Sequence, residues 1–186
     1  STDSAIAAVR QTADAQVDGI KLYASIAAEW IAPMVAASHA ANLKVSMHCL
    51  PHGVLAAGAA GVDEFYHLDG ILADVWPDHP SGWLQVWGDP DFGQTWDRQC
   101  EVADAIAAMD LTSTPTLAYW DSQSRMRQGT GPYPQERQYL PADLFQWSSA
   151  TPDAALGATW QRALDSAQRF QGLLVERKVP VLAGSD

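Results

Sequence analysis

Five short apolar runs, separated by helical or irregular stretches, constrain this chain more than any other feature. They are GIKLY at 19–23, LKVSMHC at 43–49, VDEFYHL at 62–68, STPTLAY at 113–119 and VPVLAGSD at 179–186. Helical spacing of apolar positions predicts helices over about 4–16, 27–42 and 96–109, and a short alanine-rich helix up to Gly61. Pro33 falls near the first turn of the second helix or kinks it. Thr151 and Pro152 open a long last helix, with Asp153 in its first turn and its end near Lys178. Such alternation predicts successive βα units and a parallel sheet. Two segments, about 69–95 and 120–150, are long for plain connections and read as functional loops or lids. Both follow strands, and in a (β/α) barrel the loops after strands gather on the face that carries chemistry.

Charge narrows the function classes. The 186 residues carry a net charge of -11, which argues against nucleic-acid binding and against docking on anionic membranes. Hydrophobic residues at 47% and charged residues at 18% fit a soluble globular chain, and no apolar run is long enough to predict a membrane span. The start, STDSAIAAVRQ, lacks the pattern of a signal peptide, and the compartment stays open. Two cysteines, Cys49 and Cys100, make no disulfide framework.

Chemistry gathers at the strand ends. A lysine in a buried strand is costly to desolvate, so Lys21 needs a charge partner, a pocket opening or a chemical modification, unless it snorkels to water. Tyr23, two residues on, shares its face. His48 lies near the end of the second run, His67 near the end of the third, and Asp186 ends the fifth. One such residue is weak evidence, since a strand histidine is commonly a packed core residue. Four of them on successive parallel strands would converge on one end of the sheet. Imidazole and carboxylate ligands suit zinc and related divalent ions.

The order of Lys21, His48 in VSMHC, His67 in EFYHLDG and Asp186 in LAGSD resembles the metal-dependent amidohydrolase superfamily, nearest its imidazolonepropionase-like and Xaa-Pro dipeptidase-like branch. AGAAGVDEFYH also resembles that family's run from helix into strand six. The resemblance implies an α/β fold, an incomplete TIM-like (β/α) barrel, roughly strands four to eight of a metal-dependent hydrolase, spanning 1–186 as one partial domain. It implies that Lys21 is carboxylated and bridges two metals, that His48 and His67 hold one ion and that Asp186 holds the other and moves protons. One or two divalent ions, zinc by default, would acidify a water and polarise the carbonyl of an amide, dipeptide or cyclic amide. Burial near cations would supply the neutral amine that carboxylation needs. The family's opening His-x-His pair is absent, because no two of the five histidines are one residue apart. The chain thus reads as an incomplete piece of a longer enzyme.

Tyr23 and His52 are candidate contacts for a small-molecule or peptide-like substrate. His39 reads as a surface or helix-packing residue, His79 as solvent exposed, and Cys49 as a packed thiol on the face opposite His48. Asp69 either orients a ligand or serves an ordinary turn or cap. Trp76, Trp83, Trp87 and Trp96 either wall a pocket or pack the underside of the first long segment. Arg125, Arg127 and Arg137 read as solvated, with a substrate carboxylate as the other reading. The competing expectations are a non-catalytic α/β module that binds a small ligand at its strand ends, and an inactive truncated fragment. In the latter, uncovered strand edges favour a homo-oligomer or aggregation.

Overall fold

Alternation within the strands decides how the sheet is covered. Ile20 and Leu22, Val45 and Met47, and Phe65 point one way and are buried. Lys21, Ser46, Glu64 and Thr112 share a register row on the other face, where Lys21 is exposed and the rest are half-buried. A second polar row, His48, Tyr66 and Thr114, lies beside it. One face is therefore a hydrocarbon layer for helices, and the other is polar.

The computed structural model describes residues 1–79, 82–131, 133, 135, 137–139 and 152–184. In chain order it runs α1 (Thr2–Asp14), β1 (Gly19–Leu22), α2 (Ala28–Ala40), β2 (Lys44–His48), α3 (Val54–Ala59), β3 (Glu64–Tyr66), α4 (Leu72–Val75), α5 (Trp83–Trp87), α6 (Trp96–Ala107), β4 (Thr112–Thr114), α7 (Leu117–Arg127) and α8 (Ala154–Glu176). Short 3-10 segments occupy Asp69–Ile71, Pro90–Thr95 and Arg137–Tyr139. The four strands pair in sequence order, all parallel, as the βα alternation predicts. Among the described residues no helix is long and apolar enough to cross a membrane.

Several expectations need correction. Among the described residues the fifth run reaches the sheet as a single parallel bridge, Ser113 to Val181, closed by bonds from Ser113 N–H to the Pro180 carbonyl and from Leu182 N–H to the Ser113 carbonyl. STPTLAY is not one strand: β4 stops at Thr114 and α7 begins at Leu117. Pro115 has no N–H for a ladder, and Thr116 at φ 49 turns the chain into the helix. The 69–95 segment is largely helical, because Leu72 and Val75 give α4, and Val86 and Trp87 give α5, a buried face. The 120–150 segment starts inside α7, and 140–151 lies outside the described residues. Asp153 is the N-cap of α8 and not part of its first turn, since its carboxylate accepts the Leu156 N–H at 3.0 Å. Pro33 lies inside α2.

Helix α8 is the fastener of the aromatic region. Trp160 meets Trp83 with ring centroids 5.4 Å apart, Tyr119 at 5.8 Å and Trp120 at 6.5 Å. Arg162 Nε donates to the Gly88 carbonyl at 2.7 Å. Gly88 is required there, because a Cβ would lie 2.7 Å from the Thr159 carbonyl oxygen.

Asp63 ties the N-terminal end of the sheet. Its Oδ1 accepts from Lys44 Nζ at 2.6 Å, and its Oδ2 accepts the Val45 N–H at 2.8 Å and meets His39 Nε2 at 2.9 Å. Burial alone would push the Asp63 carboxyl up, but the bonds from Lys44, Val45 and His39 outweigh it and hold it below its ordinary value. A depressed carboxyl stabilises the fold where it is ionised. Its contribution is complete above the unfolded value of about 4 and is lost as pH falls through the lower folded value. We expect Asp63→Asn to unfold in less urea than the parent chain at pH 7, with the gap closing below about pH 4. A gap that stays constant into strong acid would show that the charge of Asp63 contributes nothing. Asp74 pulls the other way, since burial holds its carboxyl up despite bonds from the Leu55 and Val54 N–H groups. Being common to both chains, it drops out of the comparison.

Candidate functional site

Strict alternation would send His48 and His67 to opposite faces, because His48 is in register with Tyr66 and His67 follows it. The backbone removes that conflict. His67 takes a left-handed conformation, φ 64, just beyond β3, and its ring swings beside His48 with centroids 4.5 Å apart. Its N–H remains paired with the Thr114 carbonyl at 2.9 Å. Its Nδ1 bonds Thr116 Oγ1 at 2.7 Å, and Thr116 is itself left-handed. A β-branched residue in that region is a true outlier, and each such residue costs on the order of 1–3 kcal/mol. Two strained residues at the ends of neighbouring strands thus hold each other's side chains. A hydroxyl can give or take the proton, so Thr116 fits either tautomer of His67.

His48 is set by a carboxylate. Asp69, in the turn after β3, is buried, and its Oδ2 lies 2.8 Å from His48 Nε2 while its Oδ1 accepts the Gly70 N–H at 2.9 Å. An ionised Asp69 accepts the Nε2 proton, which leaves the lone pair of His48 on Nδ1. That Nδ1 is buried and has no hydrogen-bond partner among the described residues. Of the two expectations for Asp69, the orienting role fits this geometry. The turn can seat Asp69 only because residue 70 is glycine: a Cβ there would lie 2.7 Å from Cys49 Cβ and 3.0 Å from the Cys49 carbonyl carbon.

The two imidazoles and Asp69 form one end of a cavity of about 180 Å³, and Trp83, Tyr119 and Trp120 form the rest of its lining. Trp83 comes from α5, and Tyr119 and Trp120 from the start of α7. Tyr119 and Trp120 are the residues that sequence reasoning misses, and Pro115, a breaker within STPTLAY, is the signal that marks them as non-strand. Of the four tryptophans expected to wall a pocket or pack a loop, only Trp83 lines the cavity. Trp87 is fully buried, Trp76 packs on Phe92 and His79, and Trp96 is exposed on α6.

The other candidates stand apart. Lys21 is exposed and not buried, because the alternation of β1 places it on the polar face. Its Nζ lies 4.0 Å from the Tyr66 ring centroid, a cation–π contact worth about 0.5–1 kcal/mol at an exposed site. Tyr23 is 61% exposed, with its ring edge-on to His48 at 5.5 Å. His52 Nε2–H donates to the Ile26 carbonyl at 2.8 Å, tying the segment after β2 to the one after β1. Asp186 lies outside the described residues, as does the side chain of Arg137. His79 is half-buried, edge-on to Trp76 and 3.4 Å from Asp89, and so is not the solvated residue expected. Cys49 is a packed thiol, pushed up by burial and by the nearby Asp69 and Asp74 carboxylates. Among the described residues no three His, Cys, Asp or Glu side chains form a ready metal cluster.

No protein-family model matches the sequence, and no curated protein matches it. Solved structures do match. Over its whole length the chain is similar to a crystal structure of an amidohydrolase, at 18% identity and a TM-score of 0.59, covering 37% of that chain. It is similar in the same way to A. niger ochratoxinase, at 16% identity, a TM-score of 0.58 and 35% coverage. A Xaa-Pro dipeptidase with bound methionine in its active site matches at 16% identity and a TM-score of 0.52, with 38% covered. The chain spans little more than a third of the length of these proteins, and with them it shares the fold of that part.

Proposed function

We propose that this chain carries the histidine half-site of a metal-dependent hydrolase that cleaves a C–N bond, within a segment of a (β/α) barrel. The observation that carries the reading is His48: its Nε2 is held by a carboxylate, and its buried Nδ1 has no partner among the described residues. That is the state in which a metal-ligating histidine is held, since its outer nitrogen is commonly oriented by a carboxylate. The fold of the matched hydrolases supports it. His48 and His67 would hold a divalent ion, zinc by the chemistry of imidazole ligands, with Lys21 and Asp186 as the further ligands that the amidohydrolase resemblance implies. Such an ion would supply Lewis acidity toward a substrate carbonyl and lower the pKa of a water. Asp69 keeps the His48 lone pair on Nδ1, and Thr116 keeps His67 turned toward it. The rings of Trp83, Tyr119 and Trp120 exclude water beside the pair. Asp186 would take and return the proton of the attacking water, and Tyr23 and His52 would border the substrate.

The exposed position of Lys21 favours a second reading, a non-catalytic module that binds a small ligand at its strand ends. Metal content separates the two. After purification in bicarbonate with added zinc and exhaustive dialysis, elemental analysis is expected to find about one ion per chain. A folded, monodisperse chain that retains none would end the hydrolase reading.

A further inference from the structure

We infer that the cavity beside the histidine pair is a subsite for an aromatic group of the substrate, next to the bond that is cut; the inference rests on the hydrolase reading. Size sets the first condition. An apolar cavity of about 150 Å³ takes one benzene ring. This cavity, at about 180 Å³, has room for a six-membered ring. Chemistry sets the rest. Away from His48, His67 and Asp69 the lining is Trp83, Tyr119 and Trp120. The rings of Trp83 and Trp120 are splayed, 5.3 Å apart with their planes at 51°. They pack on each other, and a third ring in the cavity would join that aromatic cluster. Position links the subsite to the chemistry, since the same space is bounded by the two imidazoles.

The test measures binding on the zinc-free full chain, so it does not depend on turnover. Benzamide and isobutyramide are titrated while the indole N–H signals are followed by NMR, with that of Trp83 identified by its loss in Trp83→Phe. Benzamide is expected to bind about tenfold more tightly than isobutyramide and to shift the Trp83 signal. Tyr119→Leu is expected to weaken benzamide several-fold. Equal affinity for benzamide and isobutyramide, no benzamide binding to the folded chain, or benzamide binding unchanged in Tyr119→Leu would each overturn the inference. If Tyr119→Leu fails to fold, the comparison of benzamide with isobutyramide on the parent chain still decides. Loss of zinc retention in the parent chain would remove the hydrolase reading while leaving a measured ring preference in place, so the two failures are distinct.

Discussion

Replacing His48 by alanine is expected to abolish zinc retention while leaving the chain folded. The side chain sits at the edge of the polar sheet face, 15% exposed, and its removal opens no hole in the hydrocarbon layer formed by Val45, Met47 and Phe65. What it removes is the orphaned Nδ1 and the partner of a buried carboxylate. Changing a group that only orients a metal ligand costs about 10–100-fold in affinity, so losing the ligand itself should exceed about 100-fold. His39→Ala is the control. His39 belongs to the Asp63 cluster at the opposite end of the strands, and its loss should lower stability slightly without touching zinc. Elemental analysis and an unfolding curve on each variant decide the matter, and equal zinc loss in both would sink the assignment.

Gly70→Ala should weaken zinc binding without altering any proposed ligand. The new methyl group would meet Cys49 Cβ, the Cys49 carbonyl carbon and the Leu50 nitrogen within 3.1 Å, and two of those are backbone atoms that cannot swing aside. The turn carrying Asp69 must therefore back away from β2. A crowded core position of this kind costs about 1–3 kcal/mol. The displaced Asp69 should loosen its hold on His48 and cost a further 10–100-fold in zinc affinity. Asp69→Asn separates the two effects, because it keeps the packing and alters only the group facing Nε2. If Gly70→Ala loses stability yet binds zinc as the parent does, the Asp69 contact does not set the metal site.

What could be read from the sequence was local. The period of two in Val45 and Met47 and the helical spacing around them gave the parallel βα order, and His48 and His67 could be placed at strand ends. Their convergence could not be read, since it depends on a left-handed His67 locked by Thr116, forty-nine residues away in the chain. The burial of Lys21 was misjudged because an apolar run shows that one face of a strand is covered and says nothing of the other. In STPTLAY the apolar character of Leu117 and Tyr119 outweighed the breaker Pro115, so Tyr119 was assigned to a strand and Trp120 to the long segment after it. The aromatic region as a whole depends on Trp160, which no motif connects to Trp83.

The fastening of Trp83, Tyr119 and Trp120 by α8 also gives the molecule an order of assembly. The histidine pair needs only the chain up to Thr116, whereas the rings are secured by residues of Ala154–Glu176. During synthesis at about 5–20 residues per second, the imidazoles can come together several seconds before the wall beside them is fixed. The nascent chain thus reaches the residues that set the His48–His67 pair before it reaches the helix that secures Trp83, Tyr119 and Trp120.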